Sequence, residues 1–352
     1  MNKKYCIITG SCGLIGSETV KFFAKKNFEV IGIDNNYRSL FFGKSASTNW
    51  IKKKLIKSIS NYKHFNIDIR NTKKISSIFK KYKDQIKLIV HCAAQPSHDW
   101  AYRNPMLDFD INTKATLGLL ELTRANCPKA SFIFLSTNKV YGNHPNKFPF
   151  IEKKKRFELR ENNKYFNGIN ESLKIDQNIH SLFGCSKLSA DIFVQEYGNN
   201  FGMKTVCFRA GCLTGSSHSG AELHGFLSYL VKTVLSKKKY LIFGYKGKQV
   251  RDNLHSKDLI SAFWEFYKNP GKGKIYNIGG SRKSNCSILE AIDEIENCIK
   301  IKANLKFIDK PRVGDHIWWI TNNSKFRKDY PKWKQRYDTK NIIKDLVNNY
   351  YE

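Results

Sequence analysis

Tyr5-Cys6-Ile7-Ile8-Thr9-Gly10-Ser11-Cys12-Gly13-Leu14-Ile15-Gly16 is the stretch that decides the fold. Its first four residues read as a short buried strand, and a helical pattern from Glu18 to Lys25 follows at once. Between them stand three glycines at spacing G-x-x-G-x-x-G. Such a turn lets the backbone approach a pyrophosphate. The helix behind it presents N–H groups and the positive end of its dipole. An ordinary tight turn would also suit these glycines, but the next strand argues for the dinucleotide reading. Glu29-Val30-Ile31-Gly32-Ile33-Asp34 ends in an acid at the place, roughly 20 residues on, where a ribose 2′-hydroxyl is recognised. A carboxylate there repels a 2′-phosphate, so the expected cofactor is NAD rather than NADP.

The pattern then repeats. An amphipathic helical stretch reaches about Asn61, and a strand over His64–Ile67 leads into Asp68-Ile69-Arg70, suited to an adenine edge. Thr72–Tyr82 reads as a helix, Leu88–Ala94 as a strand, Asp110–Asn126 as a helix and Ser131–Leu135 as a strand. This alternation implies an α/β fold, a Rossmann-type doubly wound parallel sheet, with a smaller mixed α/β substrate lobe. The expected boundaries are 1–212 and 254–280 for the NAD-binding domain, and 213–253 and 281–352 for the lobe. Ligands bind beyond the carboxyl ends of such strands. That singles out the loop Gln95-Pro96-Ser97-His98-Asp99-Trp100 and the run Ser136-Thr137-Asn138-Lys139-Val140-Tyr141-Gly142. Phe148–His180 reads as polar, irregular and lid-like.

Composition narrows the class. The 352 residues are 41% hydrophobic, enough for a sizeable core, and no apolar run is long enough to span a membrane. Nine cysteines without a C-x-x-C pair read as reduced thiols of a cytoplasmic protein, and no metal is expected. The formal net charge is +31, but the lysines are spread along the chain without a compact basic arm. Nucleic acid is therefore not an expected partner, although the positive field attracts a nucleoside diphosphate.

The glycine motif, Asp34, Asp68, Ser136-Thr137 and Lys187 together resemble the extended short-chain dehydrogenase/reductase family over nearly the whole chain. Within it, Ser136–Gly142, Gly247-Lys248-Gln249-Val250-Arg251-Asp252 and Asn277-Ile278-Gly279-Gly280 are most similar to the NAD-dependent epimerases that act at C2 of CDP-linked sugars. The resemblance implies a transient oxidation of the sugar by bound NAD, a nucleotide-sugar substrate and a homodimer. It also implies cofactor contacts from Gly10, Cys12, Gly13, Leu14, Ile15, Gly16, Asp34, Asn35, Asp68, Ile69, Ala93, Ala94, Gln95, Asn112 and Lys187. Substrate contacts are implied for His98, Leu223, His224, Arg251, Arg312 and His316.

Two departures stand out. The 4,6-dehydratases of this family carry Thr-Asp-Glu where this chain has Thr137-Asn138-Lys139, and Asn138 is neither acid nor base. The family's catalytic Tyr-x-x-x-Lys reads Phe183-x-x-x-Lys187, and Phe183 has no proton to exchange. Lys187 is expected to hold the nicotinamide ribose, against the alternative of a surface lysine. Thr137 is expected to bond the reacting hydroxyl, against that of a strand-end cap; Ser136 is a weaker candidate beside it. Lys139 is the candidate replacement base, its pKa depressed by burial and by Lys187. An anchor for a sugar oxygen is the alternative, with His98 and Tyr165 as further candidates for the base. Arg251 and Arg312 are expected to clasp the diphosphate, against the alternative of surface ion pairs. Net dehydrogenase turnover and a non-catalytic NAD-binding role remain open at this stage.

Overall fold

In a computed structural model, residues 3–218, 220–222 and 225–350 are described. The quoted stretch forms β1 (Tyr5–Thr9) and α1 (Leu14–Lys25), followed by β2 (Glu29–Ile33), β3 (Tyr62–Phe65), β4 (Ile86–His91) and β5 (Ser131–Thr137). These five strands pair in parallel in the spatial order β5-β4-β1-β2-β3. Lys204–Ala210 and then Lys274–Ile278 extend the β5 edge to seven strands. The chain runs outward from β1 to β2 and β3, then crosses back to β4 on the other side of β1 and on to β5. The carboxyl ends of β1 and β4 therefore form the switch point at which doubly wound sheets bind ligands.

The strands alternate poorly because helices cover both faces. Ile7, Ile31, Ile89, Phe132 and Phe134 are buried with Ile75, Phe79 and Leu119 of the flanking helices in one cluster. The helix expected over Asp110–Asn126 begins earlier, at Pro105. It passes through a π turn at Asp110–Lys114 before running as α-helix over Ala115–Asn126.

The chain divides into two compact units. The first contains 1–137, 182–209 and 260–276, and the second 138–181, 210–259 and 277–352. The sequence boundaries kept 138–181 with the cofactor domain, whereas contacts group it with the second unit. Its expected irregularity is also incomplete, since Phe150–Glu152 and Phe157–Leu159 pair as an antiparallel hairpin.

Within the second unit, Val250–His255 is the central strand. It pairs antiparallel with Asn285–Ser287 and parallel with Trp318–Trp319 and Cys212–Thr214. Lys239–Phe243 pairs in parallel with Asn304–Ile308. The helix Ile288–Ile299 starts at a capping box: the Ser287 hydroxyl accepts from Glu290 N, and Glu290 accepts from Ser287 N. Its apolar face joins Leu230, Val231, Ile342, Ile343 and Leu346 in a second core.

Candidate active site

The first unit presents the turn after β1. Gly10 has φ +66°, and a Cβ there would lie 2.8 Å from Ala93 N. A Cβ on Gly16 would come within 2.0 Å of the Gly10 carbonyl oxygen. These two glycines are required by the fold itself. Gly13 is different, because a Cβ there would meet only Gly10 O, at 3.4 Å. It is the N-cap of α1, in extended conformation, and no side chain caps the helix. The turn thus leaves the helix N-terminus open to an anion beside the one glycine that the protein's own packing does not require.

Asp34 follows β2. One carboxylate oxygen accepts from Cys12 N at 2.9 Å and the other from Asn36 N at 2.8 Å. Each keeps a further lone pair for a ribose hydroxyl. Asn35 accepts from Tyr37 N at 3.3 Å. Burial pushes the Cys12 thiol up to about 12, with Asp34 adding to the rise, so Cys12 is no nucleophile. At the next strand end Arg70 bonds both oxygens of Asp68 (3.0 and 2.7 Å) and reaches the Tyr37 hydroxyl at 3.0 Å. Burial opposes ionisation of Asp68, but Arg70 outweighs it and holds the carboxyl below its ordinary value. Ile69 packs against the core.

The far side of the switch point is held by a chain of two hydroxyls and an imidazole. Thr116 donates to Asn112 O and accepts from His91 Nε2; His91 Nδ1 accepts from Thr9, whose oxygen accepts from Ala93 N. Burial lowers His91 to about 3, with Lys187 contributing, so it stays neutral. Gln95 and Asn112 exchange backbone and side-chain bonds at 2.9 and 3.0 Å, and both amides donate to Asp108. Asn112 also donates to Ser186. Ala94, Gln95 and the His98 loop are thereby fixed to the helix Leu182–Phe201, which carries Phe183 and Lys187. The His98 ring meets Phe183 edge-on, centroids 5.0 Å apart. Neither Asp108 nor His91 stands out in the sequence, because each works through partners distant in the chain.

Lys187 is no surface lysine. It is 4% exposed, donates to Leu135 O at 2.9 Å and lies 4.0 Å above the Phe134 ring. Burial lowers it to about 8 against the pull of Asp191 and other acidic groups. Ser136 gives its proton to Asp191, at 2.5 Å, and Asp191 pairs with the buried Arg209 at 2.7 Å. Ser136 therefore reaches a ligand only as an acceptor. Thr137 is the last residue of β5.

The second unit gathers the remaining candidates. Lys139 donates to Gly314 O at 2.9 Å and lies 3.3 Å from His316 Nδ1. His316 Nε2 is 2.8 Å from Gly142 O, a pure acceptor, so Nε2 carries the proton and Nδ1 accepts. The His316 ring stacks on Trp319, which stacks on Tyr141. Burial and then Arg251 lower Lys139 to about 8, opposed by Asp315. The expected depression is present, but its charged cause is Arg251 and not Lys187. Arg251, 7% exposed, pairs with Asp315 and is no surface residue. Burial opposes ionisation of Asp315, and Arg251 with Lys139 outweighs it, so this carboxyl stays below its ordinary value. Arg312 donates to Glu222 O at 2.8 Å and covers the Phe243 ring at 4.3 Å. Tyr165 is buried and stacked on Phe148. Leu223 and His224 lie outside the described residues. Asp315 was missed by sequence reasoning, although it stands between Arg312 and His316.

Residues 6–279 match the NAD dependent epimerase/dehydratase family. The chain belongs to that family. It is therefore an NAD-dependent enzyme, and the open helix end, Gly13 and Asp34 fit the cofactor. Among similar proteins is the CDP-paratose 2-epimerase of Salmonella typhi, 31% identical over 327 residues, or 91% of each chain. A putative UDP-glucose 4-epimerase of Methanocaldococcus jannaschii is 27% identical, covering 97% of each. The solved UDP-glucuronic acid 4-epimerase from Bacillus cereus, in complex with UDP-glucuronic acid and NAD, matches with a TM-score of 0.77. It is 22% identical over 98% of each chain and supports the fold alone. Among the described residues no helix is long and apolar enough to cross a membrane.

Proposed function

We propose that this enzyme inverts C2 of a CDP-linked sugar through a transient 2-keto sugar. The observation that carries this reading is the 31% identity to a CDP-paratose 2-epimerase across 91% of both chains. Asn138 argues against the dehydratases among the relatives, because elimination of water needs an acid and a base on the sugar. Bound NAD supplies a reversible two-electron oxidation and ends as it began. The turn after β1 holds the pyrophosphate, Asp34 the adenosine ribose and Lys187 the second ribose. Arg251 and Arg312 take the sugar-nucleotide diphosphate, guanidinium forks being suited to phosphate oxygens.

Phe183 exchanges no proton, and proton transfer is assigned to Lys139. Near pH 8 much of its amine is neutral. The amine lies 2.9 Å from Gly314 O and 3.3 Å from His316 Nδ1, and in its neutral form it is a base. It takes the C2 hydroxyl proton, directly or through Thr137, and returns the same proton to the oxygen once the sugar has presented its other face. The test incubates the enzyme with a CDP-sugar carrying deuterium at C2 and follows product by NMR and NADH by absorbance. Inversion at C2 with the label retained and no NADH accumulating is expected. Stoichiometric NADH would make the enzyme a net dehydrogenase, and inversion at another carbon would reassign the reaction.

A further inference from the structure

We infer that His64 reads the 2′-hydroxyl of the adenosine ribose together with Asp34, and that Ser11 and Tyr62 set the tautomer in which it does so. The inference rests on the family's use of NAD. Tyr62 and His64, two residues apart on β3, project to the same face. The Tyr62 hydroxyl lies 3.0 Å from Ser11 Oγ and 3.1 Å from His64 Nδ1. It reaches them across Gly32, where a Cβ would come within 2.4 Å of the phenol oxygen.

Burial pushes the Tyr62 phenol far above its ordinary value, so it keeps its proton. Burial also lowers His64, with Asp34 opposing and Lys52 adding, so the ring is neutral. We take Tyr62 as the donor to Nδ1, where the Cys12 thiol also lies, 3.9 Å away; the ring hydrogen then sits on Nε2. That nitrogen is buried and has no hydrogen-bond partner among the described residues. Buried polar atoms are seldom left so, and an unpaired one calls for a ligand.

Nε2 belongs to the residue lining the same pocket as Asp34, Asn36 and Lys52. A ribose 2′-hydroxyl that gives its proton to Asp34 presents an oxygen that needs a donor, and Nε2–H supplies it. A 2′-phosphate has no such proton to give at neutral pH and faces the carboxylate as an anion. His64 thus completes, from β3, a recognition that β2 alone provides only on the acceptor side.

The test uses full-length protein stripped of bound nucleotide and calorimetric titration with NAD, NADP and an NAD analogue carrying 2′-deoxyadenosine. His64→Phe is expected to weaken NAD about tenfold, the worth of one hydrogen bond, and to leave the 2′-deoxy analogue unchanged. His64→Gln, whose amide N–H reaches about as far as Nε2, should recover most of the loss. Nitrogen NMR should show His64 protonated at Nε2 in the wild type and a tautomer mixture in Tyr62→Phe. Equal losses for NAD and the 2′-deoxy analogue, no loss at all, or a wild-type ring protonated at Nδ1 would overturn the inference while leaving the cofactor reading intact. A wild-type chain that binds no NAD would overturn both.

Discussion

The turn after β1 and the cluster around Lys139 are built by opposite physical means. Around Gly10–Asp34 the groups presented are backbone N–H groups and one carboxylate, brought together within about one strand-helix-strand unit. Around Lys139 they are side-chain charges that hold one another: Arg251 with Asp315, and Lys139 beside His316. The first region is a close-packed cast, in which a methyl group added at Gly10 or Gly16 runs into backbone. The second is an electrostatic balance, in which removing one member leaves another buried and uncompensated.

The largest expected effect breaks the second region. Lys139→Met should lower turnover about 10²–10⁴-fold, roughly 3–5 kcal/mol, while NAD stays bound. Phe183→Tyr in that background should restore part of the rate by returning a phenol near Lys187. Because the Lys139 pKa is lowered from 10.5 to about 8, its neutral form is present above that pH and lost below it. The wild-type rate should therefore rise through about pH 8. Lys187 titrates near the same value, so a residual rate in Lys139→Met that still rises there would assign the limb to Lys187. Turnover at the wild-type rate would move the base to His98, the imidazole packed against Phe183.

The cast is tested by two glycines. Gly16→Ala forces a Cβ against the Gly10 carbonyl and should cost about 1–3 kcal/mol or more of stability, read from urea unfolding. Gly13→Ala should change stability by about 1 kcal/mol or less, since only a helix cap is altered, yet still impair NAD binding. Similar losses of stability in both variants would erase the distinction between fold-required and ligand-facing glycines.

Arg251→Ala should weaken nucleotide-sugar binding by about 1.5–3 kcal/mol and leave NAD affinity nearly unchanged in calorimetry. An equal loss of both ligands would point to collapse of the Asp315 environment instead. Asp34→Ala should cost about 1–3 kcal/mol in NAD binding and narrow the preference over NADP. Tighter NADP than NAD binding by the wild type would break the reading of Asp34.

What could be read from the sequence divides along the same line. The parallel sheet, the glycine turn between β1 and α1 and the strand-end place of Asp34 were legible because strand periodicity, glycine spacing and a strand-terminal acid are local. For Lys139 the sequence offered a base with a depressed pKa or an anchor for a sugar oxygen, and for Lys187 a ribose ligand or a surface lysine; the burial of Lys187 and the charged partner of Lys139 came only from the fold. Arg251 lies more than a hundred residues from Lys139 along the chain. Ser136 reads as a rim hydroxyl, yet its proton goes to Asp191, an acid on a helix that no local pattern links to it.

By itself, the sequence determined that a glycine turn joins a buried strand to a helix and that an acid ends the next strand. Glycine conformations and side-chain alternation act over a few residues, and these conclusions need no more than that. The tertiary structure alone decided which charges meet. Asp315 reaches Arg251, His316 reaches both Lys139 and Gly142, and His64, which lines one pocket with Asp34, keeps a buried nitrogen that no described residue pairs. Each depends on segments distant in the chain being packed together, where burial strengthens every remaining charge and makes every unpaired polar atom costly.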